Sequence, residues 1–306
     1  MKHPHITEIT SELLFPEGPI AMADGSVVVV EIARGTLSRV TADGEINVVA
    51  DLGGGPNGAA IGPDGHCYVC NNGGFEWTER NGRMYPGLQP EDYSGGRIER
   101  VDLETGNYTV LYDECDGEPL KGPNDIVFDA EGGFWFTDHG KTRLRDRDRT
   151  GVFYAAADGS SIREAIFPME APNGIGLSPS GDELYVAETP TGRLWGYRLS
   201  GPGEIDRTGG ARGGGRLLAS PQGFYLYDSL AVDAEGNVCV ATLLNGGITV
   251  VSPGQDATSF VPMPDPMTTN ICFGGENLRT AFITLSSTGR LVTVAWDNPG
   301  LALNFS

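Results

Sequence analysis

Six short segments of the chain each open on a side chain that offers an oxygen donor. Those openings are Glu17, Asn57, Asn124, Asn173, Asp228 and Asn270. A short apolar stretch of small and β-branched residues follows each one, as in "NDIVFDAEGGFWFTD" from Asn124. A polar group at the head of a buried strand costs free energy unless it is bonded. Any single opening could simply bond to nearby backbone, as Asn and Asp often do. Six openings in equivalent places imply something held in common. Two carboxylates and four carboxamides, all hard oxygen donors, suit one divalent cation. A cation would also relieve the cost of burying two carboxylates together.

The surrounding residues say which elements position this set. Eight residues after the opening, five of the six copies carry a glycine: Gly25, Gly65, Gly132, Gly181 and Gly236. The residue before each is Asp24, Asp64, Glu131, Ser180 or Glu235, a pairing that suits a tight hairpin turn. The sixth copy has Asn277-Leu278 there. A second apolar strand follows every turn. A third then comes with its own signature, as in "GTLSRVTADG", "GGRIERVDLETG" and "TGVFYAAADG". No stretch sustains a helical apolar period. Six repeats of three or four antiparallel strands read as an all-β, six-bladed β-propeller, one domain over residues 1–306. Inner strands of a propeller line its axis, so the six openings converge at one mouth of the central channel.

Composition narrows the function classes. The 306 residues include 45 Gly and 20 Pro, too many turn formers for a helical protein. A net charge of −20 repels polyanions and argues against nucleic acid as a partner. No apolar run is long enough to span a bilayer, and the N-terminus lacks the apolar stretch of a signal peptide. Cytoplasm is the expected location, with no membrane partner. The five cysteines (Cys67, Cys70, Cys115, Cys239 and Cys272) are scattered and odd in number, which fits a reducing compartment. "CYVC" has CxxC spacing, but on a strand Cys67 and Cys70 point to opposite faces, so neither zinc nor redox chemistry is expected there. The Gly-rich run 201–216 lacks the features of a phosphate-cradling loop and reads as a flexible connection between blades.

The motifs "FPEGPI", "GPNDIVFDAEGGFWFTD", "APNGIGLSPSGDELYVAET" and "YDSLAVDAEGNVCVAT" occur in this order along the chain. With them, residues of about 12 to 297 resemble the senescence-marker/gluconolactonase/luciferin-regenerating-enzyme-like family, the group of regucalcin and the sugar lactonases. The resemblance implies a catalytic divalent metal held by Glu17, Asn173 and Asp228, joined by Asn124. Asp228 is then the expected base or nucleophile. Asn57 and Asn270 become groups that orient substrate or support the ligands. Sugar-lactonase members often carry Arg two residues before the Asn of the "ND" pair. This chain has Gly122 there, with Lys121 before it, which turns the expectation away from gluconolactone itself.

The expected activity is a metal-dependent lactonase acting on a sugar-acid or other hydroxy-acid lactone, a small-molecule substrate. One divalent ion is the expected cofactor, calcium first, with zinc, manganese and magnesium as alternatives. A phosphotriesterase- or aryl-esterase-like hydrolase would use the same ligands, and a non-catalytic calcium-binding propeller is the reading from another class. Asp138, His139 and Tyr227 are expected near the rim as substrate contacts. Trp77 belongs to a long insertion, residues 72–96, that is either an aromatic lid or an interface, the latter consistent with a homodimer.

Overall fold

The computed structural model describes residues 4–211, 213–254 and 257–305. Six antiparallel sheets of four or more strands form the blades, and one of the six polar openings is the second or third residue of each inner strand. Blade 1 runs through strands Pro16–Ala21, Val27–Glu31, Thr36–Val40 and Ile46–Asp51. Blade 2 uses Pro56–Ile61, Cys67–Asn71, Arg97–Val101 and Tyr108–Tyr112. Blade 3 uses Pro123–Phe128, Gly133–Asp138, Thr150–Ala156 and Ile162–Met169. Blade 4 uses Pro172–Leu177, Glu183–Glu188, Arg193–Gly201 and Gly215–Ala219. Blade 5 uses Leu226–Val232, Val238–Leu243, Gly247–Ser252 and Ala257–Pro262. Blade 6 uses Thr268–Gly274, Thr280–Leu285 and Arg290–Ala295. Its outer strand is Ile6–Thr10, so the N-terminus closes the ring, pairing Ile6 with Val294. The protein is a six-bladed β-propeller. Helix is confined, among the described residues, to two 3-10 turns, Glu276–Leu278 and Ser286–Thr288.

The five turn glycines all adopt positive φ, between 72° and 87°, the region that glycine enters without steric cost. The irregular sixth turn puts Asn277 and Leu278 at 58° and 55° and forms one of the 3-10 turns.

Packing explains why the second strands read as unbroken apolar runs instead of alternating. Val28 and Val30 pack between blades 1 and 2, while Val27 and Val29 pack between blades 6 and 1. Both faces of such a strand are buried, so neither face calls for polar residues. Cys67 and Cys70 divide in the same way between two interblade clusters, buried and unbridged. Six apolar clusters of this kind lie between successive blades around the ring.

Contrary to the expectation from its composition, the Gly-rich run 201–216 does not link blades. It joins the third and fourth strands of blade 4, where Trp195 pairs with Leu217. Residue 212 lies outside the described residues. The sequence signal was ambiguous because a long intra-blade turn and an interblade link share one composition.

Candidate active site

The six openings are aimed at the axis by a device repeated in every blade. Each inner strand breaks register with its neighbour beside its opening residue, between Glu17 and Ile20, Pro56 and Gly58, Pro123 and Ile126, Pro172 and Ile175, Tyr227 and Leu230, and Thr268 and Asn270. A bulge of this kind re-aims a side chain out of the pleat. Glycine follows the opening in three blades because the inner strands nearly touch there. A Cβ on Gly58 would lie 2.3 Å from the Asn124 carbonyl oxygen, and one on Gly174 would lie 2.6 Å from that of Asp228.

All six openings are buried, from Glu17 at 2% exposed to Asp228 at 8%. Four of them join in two pairs across blades. Asn270 Nδ2 donates to Glu17 Oε2 at 2.7 Å, and Asn173 Nδ2 donates to Asp228 Oδ1 at 2.6 Å. Asn173 also donates to Thr189 Oγ1 at 3.1 Å and accepts from Ser229 Oγ at 3.4 Å. Asn57 is buried beside them. Asn124 Oδ1 is buried with no hydrogen-bond partner. Burial pushes the carboxyls of Glu17 and Asp228 above the usual carboxylate range, and the Glu17 charge raises Asp228 further.

A third carboxylate was not anticipated. Asp125, the second residue of the Asn-Asp pair, is buried in the channel just inside the ring. It accepts from its neighbour's amide, Ile126 N, at 3.0 Å and from Ile175 N at 3.4 Å. Burial and then the Glu17 charge push its carboxyl upward too. The signal was available, since no other opening is followed by an acid.

The ring carries a buried carboxamide oxygen without a partner, Asn124 Oδ1, and two carboxyls held against desolvation, features that a bound cation would satisfy. Among the described residues no three His, Cys, Asp or Glu side chains are grouped to hold a metal ion, so a cation here would depend on carboxamide oxygens as well. Glu17, Asn124, Asn173 and Asp228 supply such a mixed set, and it fits a hard oxygen-seeking ion.

The remaining expected contacts fall in different places. Asp138 is buried and spends both oxygens on backbone amides: Lys121 N at 2.7 Å, Gly122 N at 2.8 Å and Gly140 N at 2.8 Å. It clamps the entry to blade 3. Glu31, Asn71 and Glu188 do the same at their own blades, on Leu14 N, Gly55 N and Glu170 N. Tyr227 is fully buried between blades 4 and 5, away from the rim, because its neighbour Asp228 takes the inward direction. His139 keeps some exposed surface at the end of the second strand of blade 3. Burial, then Arg147 and Lys141, lower its pKa to about 3, so its imidazole is neutral at ordinary pH. Trp77 lies on the insertion over the mouth, its ring 5.0 Å from Phe15. Gly122 is closely packed: a Cβ there would stand 3.0 Å from Gly140 O, leaving no room for a longer side chain without movement.

The sequence profile of the SMP-30/Gluconolactonase/LRE-like region matches residues 15–287, from just before Glu17 to just beyond Asn270. The chain belongs to this family. Among its relatives, a gluconolactonase from Zymomonas mobilis is 26% identical, over 92% of this chain and 79% of its own. Diisopropyl-fluorophosphatase from Loligo vulgaris is 24% identical, over 72% of this chain and 88% of its own. Solved structures of the same fold include a gluconolactonase from Xanthomonas campestris, with TM-score 0.75, 22% identity, and 97% and 90% of the two chains covered. The calcium-binding protein regucalcin from Agrobacterium tumefaciens superimposes with TM-score 0.74 and 17% identity, covering 99% of this chain and all of its own. The family's fold thus extends over nearly the whole chain. No helix among the described residues is long and apolar enough to cross a membrane.

Proposed function

We propose that this family member is a divalent-cation-dependent lactonase that opens the ring ester of a sugar-acid or other hydroxy-acid lactone. The observation that carries the reading is the ring of buried openings, in which the Glu17 and Asp228 carboxylates are close enough for the charge of one to raise the other and the buried Asn124 Oδ1 has no hydrogen-bond partner. Relatives named gluconolactonase and lactonase, at 26% and 27% identity, support the reaction class.

Glu17, Asn124, Asn173 and Asp228 would hold the cation, with calcium the first candidate and zinc, manganese and magnesium the alternatives. Bound there, it would polarise the ester carbonyl and stabilise the negative charge that grows on its oxygen. Asn173 fixes one oxygen of Asp228 by its 2.6 Å hydrogen bond. The other is left to take the proton of the attacking water, or to attack the carbonyl carbon itself. On the base route the C–O bond of the ring then breaks and the ring oxygen leaves as a hydroxyl carrying that proton. On the nucleophilic route the ring C–O bond breaks as the Asp228 acyl anhydride forms, and water then hydrolyses the anhydride, freeing Asp228 and supplying the proton to the departed ring oxygen. Asn57 orients substrate from the ring, and Asn270 holds Glu17 in place. His139, neutral and beside the mouth, can bond substrate but cannot serve as a cationic acid.

The test is proton release from a lactone panel by chelator-treated protein, with each ion added back separately. Restored turnover by one ion, and a fall of at least about 100-fold in kcat for Asp228→Asn, is the expected result. Turnover unchanged in that variant would sink the mechanism.

A further inference from the structure

Six apolar clusters lie between blades, and a seventh does not. It gathers buried Phe15, Ile32 and Met267 with Phe75, Trp77, Met84, Tyr85 and Leu243 around them. Four of these belong to the insertion at 72–96, which leaves blade 2 as an arm. Its core is a hairpin, strands Trp77–Arg80 and Arg83–Pro86. Asn81 and Gly82 turn it with φ of 54° and 70°, the positive pair that matches strand twist.

The arm lands on the half of the mouth that holds both carboxylates. Trp77 packs on Phe15, two residues before Glu17. Met267, in the same cluster, stands three residues before Asn270. Leu243 pairs with Leu226, two residues before Asp228. The Arg83 guanidinium lies 3.7 Å from buried Asp265, in the connection between blades 5 and 6. An arm rooted in blade 2 therefore spans the mouth-side ends of blades 1, 6 and 5.

The arm is also anchored at its root. The buried Lys141 ammonium donates to Asn72 O at 3.1 Å and Gly74 O at 2.5 Å, and lies 3.9 Å from the centre of the Phe75 ring. Tyr93 OH donates to Lys121 O at 2.6 Å. Held at both ends, the arm is a fixed wall.

We propose that this wall sets substrate choice at the lactonase site described above, on which the proposal rests, and that it selects lactones bearing an alkyl or aryl substituent over polyhydroxylated ones. Phe75, Trp77 and Met84 are only partly buried and so keep some aromatic and thioether surface, from which an apolar substituent can displace water. Sugar hydroxyls placed against it would lose partners in water and find few in return. Each methylene buried there is worth about fourfold in kcat/KM.

The test uses a δ-lactone series with no substituent, a butyl, a hexyl and a phenyl group, beside gluconolactone. Calorimetric binding of the matching unreactive δ-lactams runs in parallel. The expected result is at least about tenfold gain from unsubstituted to hexyl, in both kcat/KM and lactam affinity. In Trp77→Ala/Met84→Ala that gain falls below about threefold. Met84→Gln, a milder change, keeps the test open should the double variant fail to fold, and it should lower the gain in the same direction. Equal or better use of gluconolactone, or a flat series in the wild type, overturns the wall. Lactam gains that depend on Trp77 without any lactone turnover support the wall and overturn the lactonase. Ion-dependent turnover without a substituent gain does the reverse.

Discussion

Asn270 Nδ2 donates to Glu17 Oε2 at 2.7 Å, although 253 residues separate them in sequence. The bond joins the last inner strand to the first, at the place where the ring closes. Closure of the propeller and assembly of the candidate site are therefore one event.

Asn270→Ala frees Glu17 to rotate and removes a donor that favours its charged form. Calcium affinity, measured by titration calorimetry, should weaken about tenfold or more, the usual cost of losing a group that orients a ligand. An unchanged dissociation constant would show that Glu17 is fixed by other means or does not bind the ion.

Asp138→Ala should act on stability. Three buried or part-buried amides, of Lys121, Gly122 and Gly140, lose their acceptor. Unsatisfied buried donors are costly, and the total should reach about 3–5 kcal/mol in denaturant unfolding. Asp138→Asn, which keeps one acceptor oxygen, should cost about half. Full stability with lost turnover would instead return Asp138 to the role of a substrate contact.

The pKa of His139 is lowered to about 3, from an ordinary value of 6.5. The unfolded chain then binds a proton that the folded chain does not, throughout the window between those values. Its contribution to stability is present above about 6.5 and shrinks as pH falls toward 3. Between pH 7 and pH 5, wild type should lose about 1–2 kcal/mol more than His139→Gln, allowing for its partial exposure. Equal losses in the two proteins would mean that His139 titrates normally.

Deleting residues 1–11 removes the outer strand of blade 6, which pairs Ile6 with Val294 and Thr7 with Thr293. It also removes Ile6 and Ile9 from two interblade clusters. A loss of about 2–4 kcal/mol is expected in unfolding experiments, with concentration-dependent association through the bare edge. A monomer of unchanged stability would mean that the strand adds nothing to closure.

The blade count, the order of strands within each blade and the ring of six openings were legible in the sequence. They rest on short-range physics: turn glycines eight residues beyond each opening, and apolar runs of strand length. Other features depend on contacts between distant residues. Ile6–Thr10 could be placed in blade 6 only by closing the ring. Asp125 turns into the channel because a bulge re-aims it, and bulges leave no mark in composition. Asp138 and Asp228 both lie beside a mouth-facing strand end, yet one is consumed by backbone amides and the other points at the axis. The sequence alone also showed an aromatic-bearing insertion of about 25 residues, but not where it lands. That was decided when Trp77 met Phe15 and Arg83 met Asp265, since a loop's destination is set by the surface that buries its side chains.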